Sequence, residues 1–106
     1  MINITFKSED WELSVSGHAG HGKKGEDIVC SAVSILFYTL AESLTQSASQ
    51  LKEEPIIQEE DGEGYICCNP KEEYVGNIAR TYWTILNGMQ LIADNYPDNV
   101  TLKVEG

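Results

Sequence analysis

The sequence predicts an α+β domain with the element order β-β-α-β-β-α-β, in which two main helices pack on a largely antiparallel or mixed sheet. Two observations support this fold class. Short runs with a hydrophobic period of two occur in pairs joined by turn residues, which is typical of β-hairpins. Two longer segments instead repeat their apolar residues at helical spacing. The chain has 106 residues, so we expect one domain covering 1–106.

The first hairpin is predicted at the N-terminus. Ile2, Ile4 and Phe6 alternate with polar residues, and a second run has the same period in Trp11, Leu13 and Val15. The segment 17–25 then combines glycines with lysines, which predicts a mobile loop that orders over a bound peptide. The glycines of this loop are Gly20, Gly22 and Gly25, after Gly17 at its start.

A long helix is predicted from near Asp27, a residue suited to N-capping, to about Leu51. Its apolar stripe comprises Val29, Val33, Leu36, Leu40 and Leu44, and it is widened by Ile28, Ala32, Ile35, Phe37 and Tyr38. A helix that is apolar over so much of its circumference is usually covered on more than one side. We therefore expect a homodimer in which this helix, or strand edges beside it, form part of the contact. The alternative is a monomer in which the sheet and the second helix bury it.

The second half of the chain repeats the order of hairpin, helix and strand. Two strands are predicted at 55–58 and 65–68, joined by an acidic, glycine-containing turn. A helix follows Pro70, with apolar residues at i, i+3, i+4 and i+7 between Val75 and Ile92. Alternating residues at 100–104 predict a last strand.

Composition restricts the partners that the protein can have. A net charge of −10 argues against direct nucleic-acid binding, because affinity for phosphate depends on Lys and Arg. The charge would attract a basic partner, although solubility alone also explains it. No run approaches the roughly 20 apolar residues of a membrane span, and the N-terminus lacks the layout of a signal peptide. With three cysteines in no disulfide pattern, we expect a cytoplasmic protein that does not bind membranes.

The residues best suited to catalysis lie around the start of the first helix. If Asp27 caps this helix, Cys30 falls in its first turn, where backbone N–H groups stabilise a thiolate and the oxyanion of an acyl intermediate. His18, at the end of the preceding strand, is a candidate base. The alternative is that Cys30 is a core residue and His18 a structural one, as most lone cysteines and histidines are.

For two neighbours of Cys30 the sequence leaves two alternative roles each. Helical spacing places Asp27, Cys30 and Ser34 on one face, at i, i+3 and i+7. Asp27 either orients His18 as the third member of a triad or only caps the helix, and its charge disfavours a nearby thiolate. Ser34 either hydrogen-bonds within the site or allows close helix packing.

Metal and cofactor sites are not favoured by the sequence. The residues that zinc would need lack a paired metal-binding signature, and the glycine-rich loop does not match a phosphate-binding pattern. Cys67 and Cys68 are adjacent in a strand, so their side chains point to opposite faces and cannot share a metal. We expect neither metal nor cofactor. The set considered for zinc is His18, His21, Asp27 and Cys30.

The segments 17–20 and 25–34 resemble the ribosomal-processing cysteine protease family of bacteria. The resemblance rests on a His-Ala pair, a spacer ending in glycine, and an Asp-Ile-Val-Cys block that opens a helix. Length, acidity and element order are similar over the whole chain. Ser31 stands where the family has alanine, a small change that leaves the match intact.

The resemblance implies a Cys–His endopeptidase in which Cys30 is the nucleophile and His18 the base. Asp27, Ser34 and Gly17 then correspond to supporting positions of the family motif. Members remove a short apolar and aromatic N-terminal extension from a basic large-subunit ribosomal protein, which is the partner implied here. Members are also α+β homodimers.

A second function from another class is a non-catalytic factor that docks on a basic ribosomal protein through its acidic surface. The presence of both His18 and Cys30 favours the protease over this binding function.

Overall fold

Strands of alternating apolar and polar residues form one mixed sheet in the computed structural model, which describes residues 1–23 and 27–106. Within these ranges the strands are β1 (Ile2–Lys7), β2 (Glu12–Ser16), β3 (Ile56–Glu60), β4 (Glu63–Cys67) and β5 (Val100–Glu105), and the helices are α1 (Ile28–Gln46) and α2 (Val75–Asn95). The predicted element order and the α+β class are confirmed.

The sheet has the strand order β3-β4-β2-β1-β5. Its two hairpins, β1–β2 and β3–β4, are antiparallel and meet through β2 and β4, where Leu13 pairs with Ile66. The last strand β5 is parallel to β1, with Ile4 opposite Leu102. The sheet is therefore mixed, and the parallel pair connects the C-terminal strand to the N-terminal one.

The core lies between one face of this sheet and the two helices. Alternation along the strands sends Ile4, Phe6 and Leu13 to the helix side, where each is almost fully buried. Tyr82 of α2 stacks on Phe6 and donates a hydrogen bond of 2.9 Å to the carbonyl of Trp11. Burial raises the pKa of Tyr82, so this hydroxyl stays protonated as a donor. The opposite sheet face is more polar, as expected for a sheet with one exposed side.

The helix α1 ends earlier than the sequence predicts. It stops at Gln46 rather than near Leu51, because Ser47 caps it through N–H bonds to the carbonyls of Ser43 and Leu44. A short 3-10 turn follows at Ala48–Gln50. Leu51 is then buried in an isolated bridge with Pro70, a non-local pairing that ends the helix. A second 3-10 turn at Glu72–Tyr74 precedes α2.

The first helix is more apolar than the sequence analysis expected. By length and composition alone α1 is long and apolar enough for a membrane span, which corrects the expectation that no run approaches one. A core helix passes the same test, and α1 buries Val33 and Leu40 against the sheet. Its other side leaves Ile28 and Ile35 61% and 63% exposed.

Of the loop between β2 and α1, the structure describes the residues up to 23 and from 27 onward. Gly20 has a φ of +70° and is exposed, and Gly22 is exposed as well. Gly25 lies outside the described residues. The prediction that the loop is mobile therefore stays a prediction.

Candidate active site

Asp27 is the residue on which the start of α1 is organised. Its Oδ1 accepts hydrogen bonds from the N–H groups of Val29 (2.9 Å) and Cys30 (3.1 Å), so it caps the helix as predicted. Its Oδ2 accepts from the N–H groups of His21 (2.9 Å) and Gly22 (3.1 Å). One buried carboxylate thus ties the glycine-containing loop to the first turn of the helix.

These bonds determine the charge of Asp27. Burial by itself raises the pKa of a carboxyl group, but the backbone N–H bonds from Cys30, His21, Gly22 and Val29 outweigh it, and the pKa of Asp27 is lowered. Of the two roles left open by the sequence, the geometry shows capping. Within the described residues no hydrogen bond joins Asp27 to His18.

Cys30 is half-buried at this helix start, and its sulfur has a donor that the sequence analysis did not identify. The N–H of Ala19 lies 3.3 Å from Cys30 Sγ. The N–H groups of Val29 and Cys30 are bound to Asp27, so these two groups are not free donors to an oxyanion in this geometry. Stabilisation of an oxyanion by backbone N–H groups of the first turn stays a prediction. The backbone amide of Ala19 is therefore the hydrogen-bond donor to this sulfur in the described structure.

His18 is exposed at the end of β2, with its ring against the β3–β4 turn. A Cβ added at Gly62 would lie 2.9 Å from His18 Nε2, and Gly62 has a φ of +78°, so glycine is required there. The turn is held by a bond of 2.7 Å from the N–H of Gly17 to the carbonyl of Gly62. Gly17 itself has a φ of +95°, and a Cβ there would lie 2.1 Å from the carbonyl oxygen of Met1. Gly62 thus allows the imidazole to lie over the turn, and Gly17 allows the close approach of the Met1 carbonyl.

His18 and Cys30 line one cavity of about 410 Å³ without a hydrogen bond between them in the described part of the chain. The cavity has an apolar floor and an acidic rim that belongs to the β3–β4 hairpin. Ser34, Gly17, Gly20 and Gly22 also line it, so the described site residues predicted from the sequence come together. The floor is formed by Ile2, Val15, Val33, Phe37 and Gly64, and the rim by Glu59, Glu60, Asp61 and Glu63.

The remaining cysteines lie away from this cavity. Cys68 is buried next to the hydroxyl of Tyr82, and burial raises the pKa of its thiol. Cys67 is half-buried and belongs to β4. No group of three or more His, Cys, Asp or Glu residues that could hold a metal ion occurs in ranges 1–23 and 27–106.

Asn99 is a site residue that sequence reasoning missed. Its side-chain N–H donates 2.8 Å to the carbonyl of Ala19, and its own carbonyl accepts from the N–H of Ile2. It therefore clamps the residue whose amide contacts Cys30 Sγ. In the sequence Asn99 belongs to a Tyr-Pro-Asp-Asn turn, where asparagine is common for conformational reasons, so no local signal points to Ala19.

Comparison with known proteins identifies the family. The family described as cysteine protease Prp matches residues 1–101. This chain belongs to the cysteine protease Prp family. The ribosomal processing cysteine protease Prp of Staphylococcus aureus is 26% identical over 104 residues, which are 96% of this chain and 95% of that protein. The chain is a cysteine protease.

Solved structures have the same fold. The essential ribosomal processing protease Prp from S. aureus, in complex with a covalently linked product peptide, superposes with a TM-score of 0.80 at 23% identity, covering 99% of this chain and 100% of that one. A Streptococcus mutans protein superposes with a TM-score of 0.69 at 26% identity, covering 98% and 91%. The helix-on-sheet arrangement is thus the Prp fold.

We expect Asp27→Ala to lower the Tm of this Prp family member by several degrees, because the first turn of α1 and the loop lose their acceptor. The folded-state pKa of Asp27 is below its ordinary 3.8. The stability that the ionised Asp27 adds to the folded protein is therefore fully present above that value. It is lost as the pH falls through the lowered pKa. Thermal unfolding from about pH 7 to about pH 2 should show the Tm difference shrinking with acid. The exposed Asp94→Ala is the control, and a difference that stays constant with pH would contradict the assignment.

We expect Asn99→Asp to slow alkylation of Cys30 at neutral pH by roughly 3- to 10-fold, the effect of one hydrogen bond of about 1 kcal/mol. The variant replaces a donor to Ala19 with a carboxylate that repels its carbonyl. Mass analysis of iodoacetamide labelling at Cys30 measures the rate. Asn95→Asp, at an exposed amide of α2, is the matched control. Equal rates in the two variants would show that Asn99 does not position Ala19.

Proposed function

We propose that this protein is an endopeptidase that removes the short N-terminal extension of a large-subunit ribosomal protein, with Cys30 as nucleophile and His18 as base. The observation that supports this most is that Cys30 and His18 face one cavity at the start of α1 in a chain of the Prp family. The relatives from S. aureus are named for ribosomal processing, and one was crystallised with a substrate peptide. We further propose that the protein acts in the cytoplasm.

The reaction uses the residues in two steps. His18 takes the thiol proton of Cys30, the thiolate attacks the carbonyl carbon of the scissile bond, and the tetrahedral intermediate collapses as the C–N bond breaks. His18 gives the proton to the leaving amine, which is the new N-terminus of the ribosomal protein. Water, deprotonated by His18, then attacks the thioester carbonyl carbon, the C–S bond breaks as His18 returns the proton to the Cys30 sulfur, and the extension leaves with a new carboxyl group. A direct contact between the two side chains forms when substrate is bound, since catalytic hydrogen bonds are often long before that.

The charge of the protein supports a basic substrate. The net charge is −10, and the rim of the cavity carries carboxylates from β3 and the turn that follows it. Attraction between such a surface and a basic protein extends over a Debye length of about 8–10 Å at physiological salt. The membership of a protease family favours catalysis over the alternative of a non-catalytic docking factor.

We expect Cys30→Ala and Cys30→Ser to abolish cleavage while the fold is kept, because both remove the nucleophile from a half-buried position. The assay is incubation with the extended ribosomal protein, followed by intact mass analysis. Cys67→Ala, which alters a half-buried cysteine outside the cavity, is the control and should cleave normally. Cleavage at the wild-type rate by purified Cys30→Ala would rule out the mechanism.

We expect His18→Ala to lose about 10²–10⁴-fold in kcat/KM, the usual contribution of a general base. The control is His21→Ala at the other histidine. The His21 ring contacts Tyr96, and its bond to Asp27 comes from the backbone, so activity should be nearly unchanged. The pH dependence of Cys30 alkylation gives a second measurement. An unchanged profile in His18→Ala would refute the pairing of the two residues.

We propose a twofold homodimer formed through the exposed side of α1. Ile28 and Ile35 lie seven residues apart on one face of the helix and are largely exposed, and apolar patches of this kind mark interfaces. Ile35→Asp should therefore yield monomers in sedimentation equilibrium at micromolar concentration. Val75→Asp is the control, because it places a carboxylate at an exposed helix start, where the charge is tolerated. A wild-type protein that sediments only at 11.8 kDa would disprove the dimer.

A further inference from the structure

The turn between β3 and β4 is held in a fixed position beside His18. Glu63, the first residue of β4, pairs with Ser16 at the end of β2. The carbonyl of Gly62, within the turn, accepts a hydrogen bond of 2.7 Å from the N–H of Gly17. Strand pairing and this bond therefore join the turn to the two residues that immediately precede the histidine.

The imidazole of His18 lies directly against Gly62. A Cβ at this glycine would lie 2.9 Å from Nε2, 3.4 Å from Cε1 and 3.5 Å from Cδ2 of the ring. The first distance is shorter than Cβ atoms in proteins tolerate, so one of the two groups would have to move. The ring is at the far end of an exposed side chain, whereas the turn is held by the sheet. A side chain at position 62 would therefore displace the ring and leave the turn in place.

Two separate constraints favour glycine at position 62. Its φ of +78° lies in the left-handed region, which accounts for glycine in many tight turns. The contact with the imidazole is a second constraint, because it excludes a Cβ whatever the backbone conformation. Asparagine distinguishes the two constraints, since it tolerates a left-handed φ but carries a Cβ.

The orientation of the imidazole decides whether His18 can act as a base. A base must come within about 2.6–3.2 Å of the group whose proton it takes. His18, Cys30 and Gly62 line one cavity, but the described residues show no hydrogen bond between the imidazole and the sulfur. An exposed histidine turns about two side-chain bonds and has several rotamers. A fixed turn against one part of the ring restricts these rotamers.

We propose that Gly62 is a positioning residue, which holds the imidazole of His18 in the orientation needed for proton transfer with Cys30. The proposal rests on the proposed function, because Gly62 acts through the base of that reaction. It supplies no chemical group of its own, and its effect comes from the absence of a Cβ. Misplacing a catalytic group by about 1 Å slows the chemical step by up to about 100-fold. Substitution of Gly62 should therefore lower kcat and leave KM nearly unchanged.

Steady-state cleavage of the extended ribosomal protein tests the proposal. We expect Gly62→Ala and Gly62→Asn each to lower kcat by roughly 10- to 100-fold, with KM within about twofold of the wild-type value. Gly62→Asn tolerates the left-handed φ, so thermal unfolding should show it folded even if Gly62→Ala is not. The control is Gly76→Ala, at an exposed glycine with open space around its Cβ, which should keep wild-type activity. A wild-type kcat in Gly62→Asn would overturn the proposal.

A double variant distinguishes positioning of the histidine from a general structural role. Residues that act through one another have non-additive effects. If Gly62 acts through the imidazole, adding Gly62→Asn to His18→Ala should change the residual cleavage rate by less than about twofold, because the ring is already absent. A further loss of about tenfold would show an effect that does not depend on His18, and the proposal would be wrong.

The pH dependence of Cys30 alkylation gives a measurement that needs no substrate. We expect the profile of Gly62→Asn to shift from that of the wild-type protein toward that of His18→Ala. If His18→Ala changes the profile and Gly62→Asn does not, the positioning role is refuted and the proposed function stands. If His18→Ala alters neither cleavage nor the profile, both are wrong.

Discussion

The site depends on the carboxylate of Asp27. A buried charge is costly unless hydrogen bonds satisfy it, and here backbone N–H groups do so from two directions. Two of these groups belong to the start of α1 and two to the loop that follows His18. The same bonds that stabilise the charge therefore hold Cys30 and the segment that follows His18 next to each other.

Because of this arrangement, the hydrogen bonds at the helix start involve several different residues. Asp27 accepts the N–H groups of Val29 and Cys30 in the first turn, so these two groups are not donors to the sulfur of Cys30. The sulfur receives a donor from Ala19 instead, and Ala19 is clamped by Asn99. Asn99 immediately precedes β5, whose parallel pairing with β1 brings the C-terminal turn to the cavity. The local chemistry is thus supported by the long-range topology.

The apolar and acidic parts of the surface serve different contacts. One side of α1 fills the core and the floor of the cavity, and the exposed side with Ile28 and Ile35 is the surface on which the proposed dimer rests. The β3–β4 hairpin adds an acidic rim to the cavity. The apolar surface suits the proposed dimer contact, and the charge suits the proposed basic substrate.

Much of this structure was determined by the sequence alone. The element order follows from hydrophobic periods, and the capping by Asp27 with Cys30 in the first turn follows from local helix chemistry. The need for glycine at position 17 agrees with its place in the motif.

Only the tertiary structure decided the end of α1 at Gln46, the donor to Cys30, the clamp from Asn99 and the packing of Gly62 on His18. Most of these depend on contacts between segments that are distant in the sequence. A local pattern records the preference of a segment for helix or strand, but it does not record which distant segment will lie against it.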